Sequence, residues 1–120
     1  AMISADHMAK VAGYVKAAKT GGGSVFSGGG QLASNAGQYL DPTIVRNVTE
    51  DMEIAREEVF GPVLSVLTFE TIERALHIAN NTPYGLSAGV WSASIDTCMS
   101  VARGVRSGTV WVNTFMEGYP

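Results

Sequence analysis

Apolar residues recur at three- and four-residue steps through the first twenty positions of the chain. Ser4 is a good N-cap for a helix, and Thr20 followed by glycines is a clear end to one. The apolar positions between them are Met8, Val11, Ala12, Val15 and Ala18. This spacing predicts an amphipathic helix that buries one face.

Shorter elements are predicted next. Residues 24–27 form a strand candidate between two glycine triplets, and the β-branched run at residues 43–45 follows Asp41-Pro42 as a second strand. Residues 51–56 have the length of about one helical turn.

Strands and helices alternate in the rest of the chain. Pro62 opens a near-continuous apolar run at residues 63–69, which is typical of a strand buried on both faces. A helix capped by Thr71, a strand at residues 86–91, a helix at residues 95–105 and a strand at residues 109–112 follow. This order predicts an α/β fold with three layers, in which crossover helices cover a mostly parallel sheet.

Composition narrows the class. The 120 residues include 46% apolar and 16% charged residues and carry a formal net charge of -3, which predicts one globular segment over residues 1–120. No basic stripe is available for nucleic acid, and no apolar run approaches the roughly 20 residues of a membrane helix. The single Cys98 excludes an internal disulfide, so we expect a reducing, cytoplasmic setting and no metal site.

The glycine triplets suggest a nucleotide site. Gly28, Gly30 and Ala33 match a G-x-G-x-x-A pattern directly after a strand candidate. A dinucleotide fingerprint must open a helix, however, and Pro42 arrives too soon for one. The pattern therefore favours a loop over an independent nucleotide-binding domain.

Cys98 lies in the helix predicted at residues 95–105, near its apolar face. A nucleophilic cysteine needs a neighbouring base and a lowered thiol pKa, and the sequence indicates neither. A small buried apolar side chain is the favoured interpretation.

Two segments carry candidate site residues. Glu58 and Phe60 lie two residues apart in a turn bounded by Gly61 and Pro62; a carboxylate can accept both hydroxyls of a ribose, and a ring beside it can pack on a flat heterocycle. The residues alone leave open a solvated charged turn with a core phenylalanine. Ligands also bind beyond the carboxyl ends of parallel strands, which favours a second set after the last strand, namely Asn113, Thr114 and Phe115.

Four segments favour the interpretation of these residues as a ligand site over that of a solvated charged turn. Residues 39–43 (YLDPT), 56–63 (REEVFGPV), 80–87 (NNTPYGLS) and 107–113 (SGTVWVN) resemble signature segments of the NAD(P)-dependent aldehyde dehydrogenase superfamily, in its order and spacing. The resemblance covers nearly the whole chain. It implies that the chain corresponds to the C-terminal part of the family's catalytic domain. The Asn113-Thr114-Phe115 ending most resembles betaine aldehyde and related dehydrogenases.

The resemblance implies roles for these residues. Glu58 would hold the nicotinamide ribose hydroxyls and Phe60 would pack near the nicotinamide, with NAD or NADP as cofactor. Asn113 would support the active site, and residues 114–116 would begin the substrate-tunnel loop. The parent enzyme would oxidise a small-molecule aldehyde to a carboxylic acid and would be a homo-oligomer.

The same resemblance implies what the 120 residues lack. The family's nucleophilic cysteine, in a Gly-Gln-x-Cys context, and its general-base glutamate would precede Ser4. We therefore expect no turnover, and weak or no cofactor binding, from this chain alone. The alternative is a standalone α/β interaction module without enzymatic activity. In either case, apolar surface meant for neighbours favours self-association.

Overall fold

The computed structural model describes residues 1–30 and 37–116. The chain divides into an N-terminal unit, Ala1–Thr68, and a C-terminal unit, Phe69–Pro120. The elements, in chain order, are α1 (Ala5–Thr20), β1 (Ser24–Ser27), β2 (Thr43–Arg46), α2 (Glu53–Arg56), β3 (Val63–Ser65), α3 (Ile72–Asn80), β4 (Ser87–Val90), α4 (Ile95–Gly104) and β5 (Thr109–Val112). Their order confirms the predicted α/β class.

Helix α1 begins and packs as its pattern predicts. The hydroxyl of Ser4 accepts a hydrogen bond from the backbone N–H of His7 at 3.1 Å, which caps the first turn. The apolar stripe then buries Val11, Val15 and Ala18. The last two join residues of β2 and α2 in the core of the unit, a cluster made of Val15, Ala18, Val45, Val48 and Ile54.

The sheet of the N-terminal unit is mixed. Its strand order is β1-β2-β3, with β1 antiparallel to β2 and β2 parallel to β3. Thr43 pairs with Val63 and Val45 with Ser65, so β2 and β3 run side by side from matching ends. The chain turn before Val63 therefore lies at the amino ends of these strands, and the segment after Ser65 lies at their carboxyl ends.

The expectation of a long strand buried on both faces at residues 63–69 is wrong. Strand β3 ends at Ser65, and the side chain of Leu64 is 59% exposed. The reason is that the two faces of β3 differ: Val63 packs against the core cluster, so the next side chain, Leu64, lies on the opposite face of the sheet, where it is exposed. An apolar run does not show which faces of a strand other elements cover.

The C-terminal unit contains a parallel strand–helix–strand arrangement. Strands β4 and β5 pair in parallel, with Gly89 opposite Trp111, and α4 connects them. Helix α3 is capped by Thr71, as predicted; its hydroxyl accepts from the N–H of Arg74 at 3.2 Å. Strand β4 is shorter than the predicted 86–91, and α4 stops one residue before the predicted end, with Val105 as its C-cap.

Hydrogen bonds join the ends of α3 and α4. The side-chain amide of Asn80 donates to the carbonyl of Gly104 at 2.9 Å, and its oxygen accepts from the N–H of Arg106 at 2.7 Å. The guanidinium of Arg106 in turn donates to the carbonyls of Asn80 and Thr82, the latter at 3.0 Å. This network fixes the chain where it enters β5.

Candidate functional site

The turn at residues 58–61 is anchored on both sides of Phe60. Val59 packs against the core cluster, and Gly61 lies so close to Val11 that a Cβ at position 61 would approach a Val11 methyl carbon to 2.6 Å. Val11 is fully buried and cannot move aside. The backbone on either side of Phe60 is therefore held against the interior.

The two candidate side chains of this turn face solvent. Glu58 is exposed, and the ring of Phe60 is 75% exposed although it is a large apolar group. Phe60 also has a φ of 50°, a left-handed conformation that is costly for a bulky residue. A strained, outward-facing ring beside a carboxylate is poorly explained by packing within the N-terminal unit.

Backbone hydrogen bonds connect this turn to the sheet. The N–H of Val63 donates to the carbonyl of Gly61 at 2.7 Å, and the carbonyl of Pro62 accepts from the N–H of Thr43 at 2.8 Å. The turn thus sits at the amino ends of β2 and β3. This agrees with the sequence, in which Glu58 and Phe60 precede their strand.

Asn113 closes the end of the β4–β5 pair. Its side-chain oxygen accepts from the N–H of Ser92 at 2.9 Å, and its side-chain nitrogen donates to the carbonyl of Ser92 at 3.0 Å. Its own N–H donates to the carbonyl of Val90 at 2.8 Å. Its φ of 54° is one that asparagine tolerates better than most residues. The sequence predicts Asn113 as a site residue after the last strand, but it does not indicate Ser92 as its hydrogen-bond partner.

Aromatic rings gather beside this strand end. Phe115 meets Trp111 edge to face, with ring centroids 5.1 Å apart, and remains 58% exposed. The ring of Trp91 lies over Gly89, the register partner of Trp111. Thr114 is half-buried. The three residues Asn113, Thr114 and Phe115 therefore begin an aromatic-lined segment at the carboxyl end of β5.

The predicted site residues fall into two groups. Glu58 and Phe60 share one turn of the N-terminal unit, and Asn113, Thr114 and Phe115 share one strand end of the C-terminal unit. Each group is local in sequence, so the structure brings its members together without long-range pairing. Sequence reasoning missed Ser92, whose backbone N–H and carbonyl hydrogen-bond to the side chain of Asn113. The residues next to Ser92 in the sequence do not indicate this pairing.

The glycine pattern has a structural explanation at Gly28. A Cβ at this position would lie 2.2 Å from the carbonyl oxygen of Pro42, and its φ is 74°. The next residue donates its N–H to the hydroxyl of Thr43 at 2.9 Å, so the loop packs on the entry to β2. Gly30 receives the N–H of Asp41 at its carbonyl. Ala33, the last position of the pattern, lies outside the described residues.

Cys98 is fully buried in α4, in agreement with the interpretation of a small packing residue. Its thiol donates to the carbonyl of Ser92 at 3.7 Å, the same carbonyl that accepts from Asn113. Among residues 1–30 and 37–116, no group of three His, Cys, Asp or Glu side chains is placed to hold a metal. No helix of that part of the chain is long and apolar enough to cross a membrane.

The sequence model of the aldehyde dehydrogenase family matches residues 1–120. The chain belongs to the aldehyde dehydrogenase family. This confirms the resemblance found in the four signature segments.

The chain matches only part of the length of its relatives. It is 45% identical to an aldehyde dehydrogenase 1 of Tanacetum cinerariifolium over 89% of this chain and 21% of that protein. It is 44% identical to a betaine aldehyde dehydrogenase of Bacillus subtilis, over 95% of this chain and 24% of that one. The chain therefore spans about a quarter of the length of these aldehyde dehydrogenases.

Solved structures agree with the fold. An NAD-dependent aldehyde dehydrogenase from Sinorhizobium meliloti is 48% identical, with a TM-score of 0.94 over 100% of this chain and 24% of its own. An indole-3-acetaldehyde dehydrogenase solved with NAD+ is 46% identical, with a TM-score of 0.93 over 98% of this chain and 24% of its own. The α/β arrangement of the described residues is thus that of aldehyde dehydrogenases.

Proposed function

We propose that this chain works as one part, residues 1–120, of the catalytic domain of an NAD(P)-dependent aldehyde dehydrogenase. It supplies contacts to the nicotinamide ribose and the start of the substrate tunnel. The observation that carries the proposal is the turn at residues 58–61, which presents Glu58 and Phe60 outward from a backbone held by Val59 and Gly61.

The chemistry of this turn fits a nucleotide cofactor. The oxygens of a carboxylate such as Glu58 accept hydrogen bonds, which matches the two hydroxyl donors of a ribose. The exposed ring of Phe60 offers a flat apolar face for the nicotinamide. When bound beside Glu58 and Phe60, the nicotinamide would supply the hydride acceptor for oxidation of the aldehyde. The task of this chain is to orient the ring, because holding two reacting groups in line supplies much of a rate enhancement.

The second group lies beside the aldehyde. Asn113 is a positioning residue, because its side-chain amide forms two hydrogen bonds with the backbone of Ser92. These bonds fix the strand end from which residues 114–116 continue. Thr114 and Phe115 begin the tunnel wall, and the Trp111–Phe115 ring pair gives that wall an apolar surface. A small-molecule aldehyde is the substrate of the whole enzyme, which we expect to be a homo-oligomer.

This part of the enzyme does not turn over substrate by itself. Cys98 is fully buried and its thiol is directed at a backbone carbonyl, so it offers no nucleophile to an aldehyde. NADH formation by the purified chain with a range of aldehydes should stay at the background rate. Chain-dependent NADH formation would contradict the proposal.

Adjacent glutamates provide a matched pair for the cofactor role. In a complete aldehyde dehydrogenase chain carrying this segment, Glu58→Gln should lower kcat/KM for the cofactor roughly tenfold, since a charge-assisted hydrogen bond to ribose is weakened. Glu57→Gln removes an equally exposed charge one residue away and should leave kcat/KM unchanged. Equal effects of the two substitutions would contradict the assignment.

The match to about a quarter of a full-length aldehyde dehydrogenase favours this role over a standalone interaction module, and the exposed apolar groups agree with it. Leu86 is 89% exposed and Ile95 is 62% exposed, which suits surfaces that pack against the remainder of the enzyme. The proposed compartment is the cytoplasm, where the reduced thiol of Cys98 is stable. A rat relative is named cytosolic and a snapdragon relative mitochondrial, so fractionation of the host cell is the test.

A further inference from the structure

A cavity of about 320 Å³ opens on the N-terminal unit, away from the turn that holds Glu58 and Phe60. It lies beyond the carboxyl ends of β2 and β3, while that turn lies at their amino ends. In open sheets, ligands bind beyond the carboxyl ends of parallel strands. Its lining consists of Ser24, Val25, Phe26, Arg46, Asn47, Val66 and Thr68.

Two irregularities in the sheet shape this cavity. In the β1–β2 pair, Val25 lies opposite Val45 but Ser27 lies opposite Ile44, so Phe26 is an extra residue in its strand. Such a bulge redirects a side chain, and bulges are common beside functional sites. Here the redirected ring of Phe26 lies under the guanidinium of Arg46, 4.5 Å from Cζ to the ring centroid.

The second irregularity is at the end of β2. Val66 donates its N–H to the carbonyl of Val45 and accepts at its carbonyl from the N–H of Val48. In a regular parallel ladder the carbonyl of Val66 would accept from the N–H two residues after Val45, which is that of Asn47. The donor here is Val48, so β2 is followed by one extra residue. Asn47 takes up the excess with a φ of 56°, and its side chain donates to the hydroxyl of Ser24 at 3.2 Å.

The polar groups around the cavity are suited to an anion. Arg46, Asn47, Ser24 and Thr68 can all donate hydrogen bonds, and no Asp or Glu is among the residues that line it. The guanidinium carbon of Arg46 lies over the ring of Phe26, and the N–H groups of this planar fork can pair with a carboxylate. Phe26, Val25 and Val66 supply apolar wall for the rest of a ligand.

We infer that this cavity is a binding site for a small carboxylate with an apolar body, made of residues other than those of the proposed cofactor and substrate contacts. A guanidinium fork matches the two oxygens of a carboxylate, and the volume lies in the range of small-molecule sites. The inference does not depend on the proposed function, because none of its residues belongs to the turn or strand end described above.

Three probes separate the parts of this inference. Amide NMR spectra of the chain are recorded during titration with benzoate, with uncharged benzamide and with inorganic phosphate. Benzoate should give saturable shifts at Ser24, Arg46, Asn47 and Thr68. Benzamide lacks the charge and phosphate lacks the apolar body, so each should bind at least about fivefold more weakly. Equal binding of benzoate and either other probe, or no saturable shift with benzoate, would overturn the inference.

Substitutions test the residue that carries it. Arg46→Gln should weaken benzoate binding about tenfold or more, and Arg46→Lys about threefold, since lysine keeps the charge but loses the planar fork. Phe26→Leu keeps an apolar wall but removes the stacked ring, and should also weaken binding. Arg103→Gln removes an exposed arginine of α4 and should leave binding unchanged. Unaltered benzoate binding by the Arg46→Gln chain would refute the site.

Discussion

Val11 and Val45 of the N-terminal unit are fully buried, whereas Leu86 and Ile95 of the C-terminal unit are 89% and 62% exposed. Among the described residues of the C-terminal unit, only Cys98 reaches the burial of the N-terminal core. Burial of apolar area is the main favourable term in folding. The N-terminal unit is therefore stabilised by its own core, and the C-terminal unit depends more on hydrogen bonds such as those of Asn80 and Asn113.

The largest expected effect is loss of core volume. Val45→Ala deletes two buried methyl groups and should destabilise the N-terminal unit by about 2 to 3 kcal/mol. Val110→Ala makes the same change at a half-buried position of β5 and should cost about 1 kcal/mol or less. Amide hydrogen exchange measures the opening free energy of each unit separately. Equal losses would remove the distinction between the two units.

Asn80 provides the converse test. Asn80→Ala removes hydrogen bonds to Gly104 and Arg106, and should destabilise the C-terminal unit by about 1 to 2 kcal/mol. Asn81→Ala changes the neighbouring exposed residue, whose backbone N–H bonds to Ile78, and should have little effect. Exchange of the α3 and α4 amides is the measurement. Equal protection in the two variants would show that the network does not stabilise this unit.

Glycine at the two left-handed positions, Phe60 and Asn113, should have different effects on stability. Phe60→Gly relieves strain at φ 50° and should make the N-terminal unit about 0.5 to 1 kcal/mol more stable than Phe60→Ala does. Asn113→Gly keeps φ accessible but deletes both bonds to Ser92, so the C-terminal unit should lose stability. Denaturation followed by amide resonances in each unit distinguishes the two effects. A stabilising Asn113→Gly would contradict the positioning role.

The smallest effect is a titration in the N-terminal unit. A hydrogen bond from the Thr49 hydroxyl lowers the pKa of Asp51, with further lowering from its own backbone N–H and from Arg56. A carboxylate whose pKa is lower when folded stabilises above its unfolded pKa, and this contribution is lost as pH falls through the folded value. Thr49→Val should raise the Asp51 pKa toward its ordinary value, as measured by carboxyl NMR. An unchanged titration would exclude Thr49 as the main cause.

The sequence predicted what depends on neighbouring residues. Ser4 and Thr71 cap helices as expected, because a hydroxyl and the N–H three residues later meet in any helix start. The position of Glu58 and Phe60 at the amino end of a strand was also evident from the Gly61-Pro62 boundary. Alternation of strands and helices was enough to assign the α/β class.

Features that depend on distant pairing could not be predicted. The sequence predicts a buried Leu64, yet this side chain lies on the exposed face of its strand, and an apolar run does not show which faces of a strand other elements cover. The bulges at Phe26 and Asn47 arise from the register between strands that are far apart in sequence. The hydrogen bonds between Asn113 and Ser92 likewise join residues 21 positions apart.

The cofactor role of Glu58 and Phe60 is tested most directly with the two halves of NAD. Amide NMR spectra of the chain are recorded with nicotinamide mononucleotide or AMP, each raised to the millimolar range expected of a partial site. The account predicts that nicotinamide mononucleotide shifts the amides of residues 58–61, that AMP does not, and that Glu58→Gln reduces the shifts more than Glu57→Gln. Equal responses to both halves, or shifts confined to other residues, would contradict it.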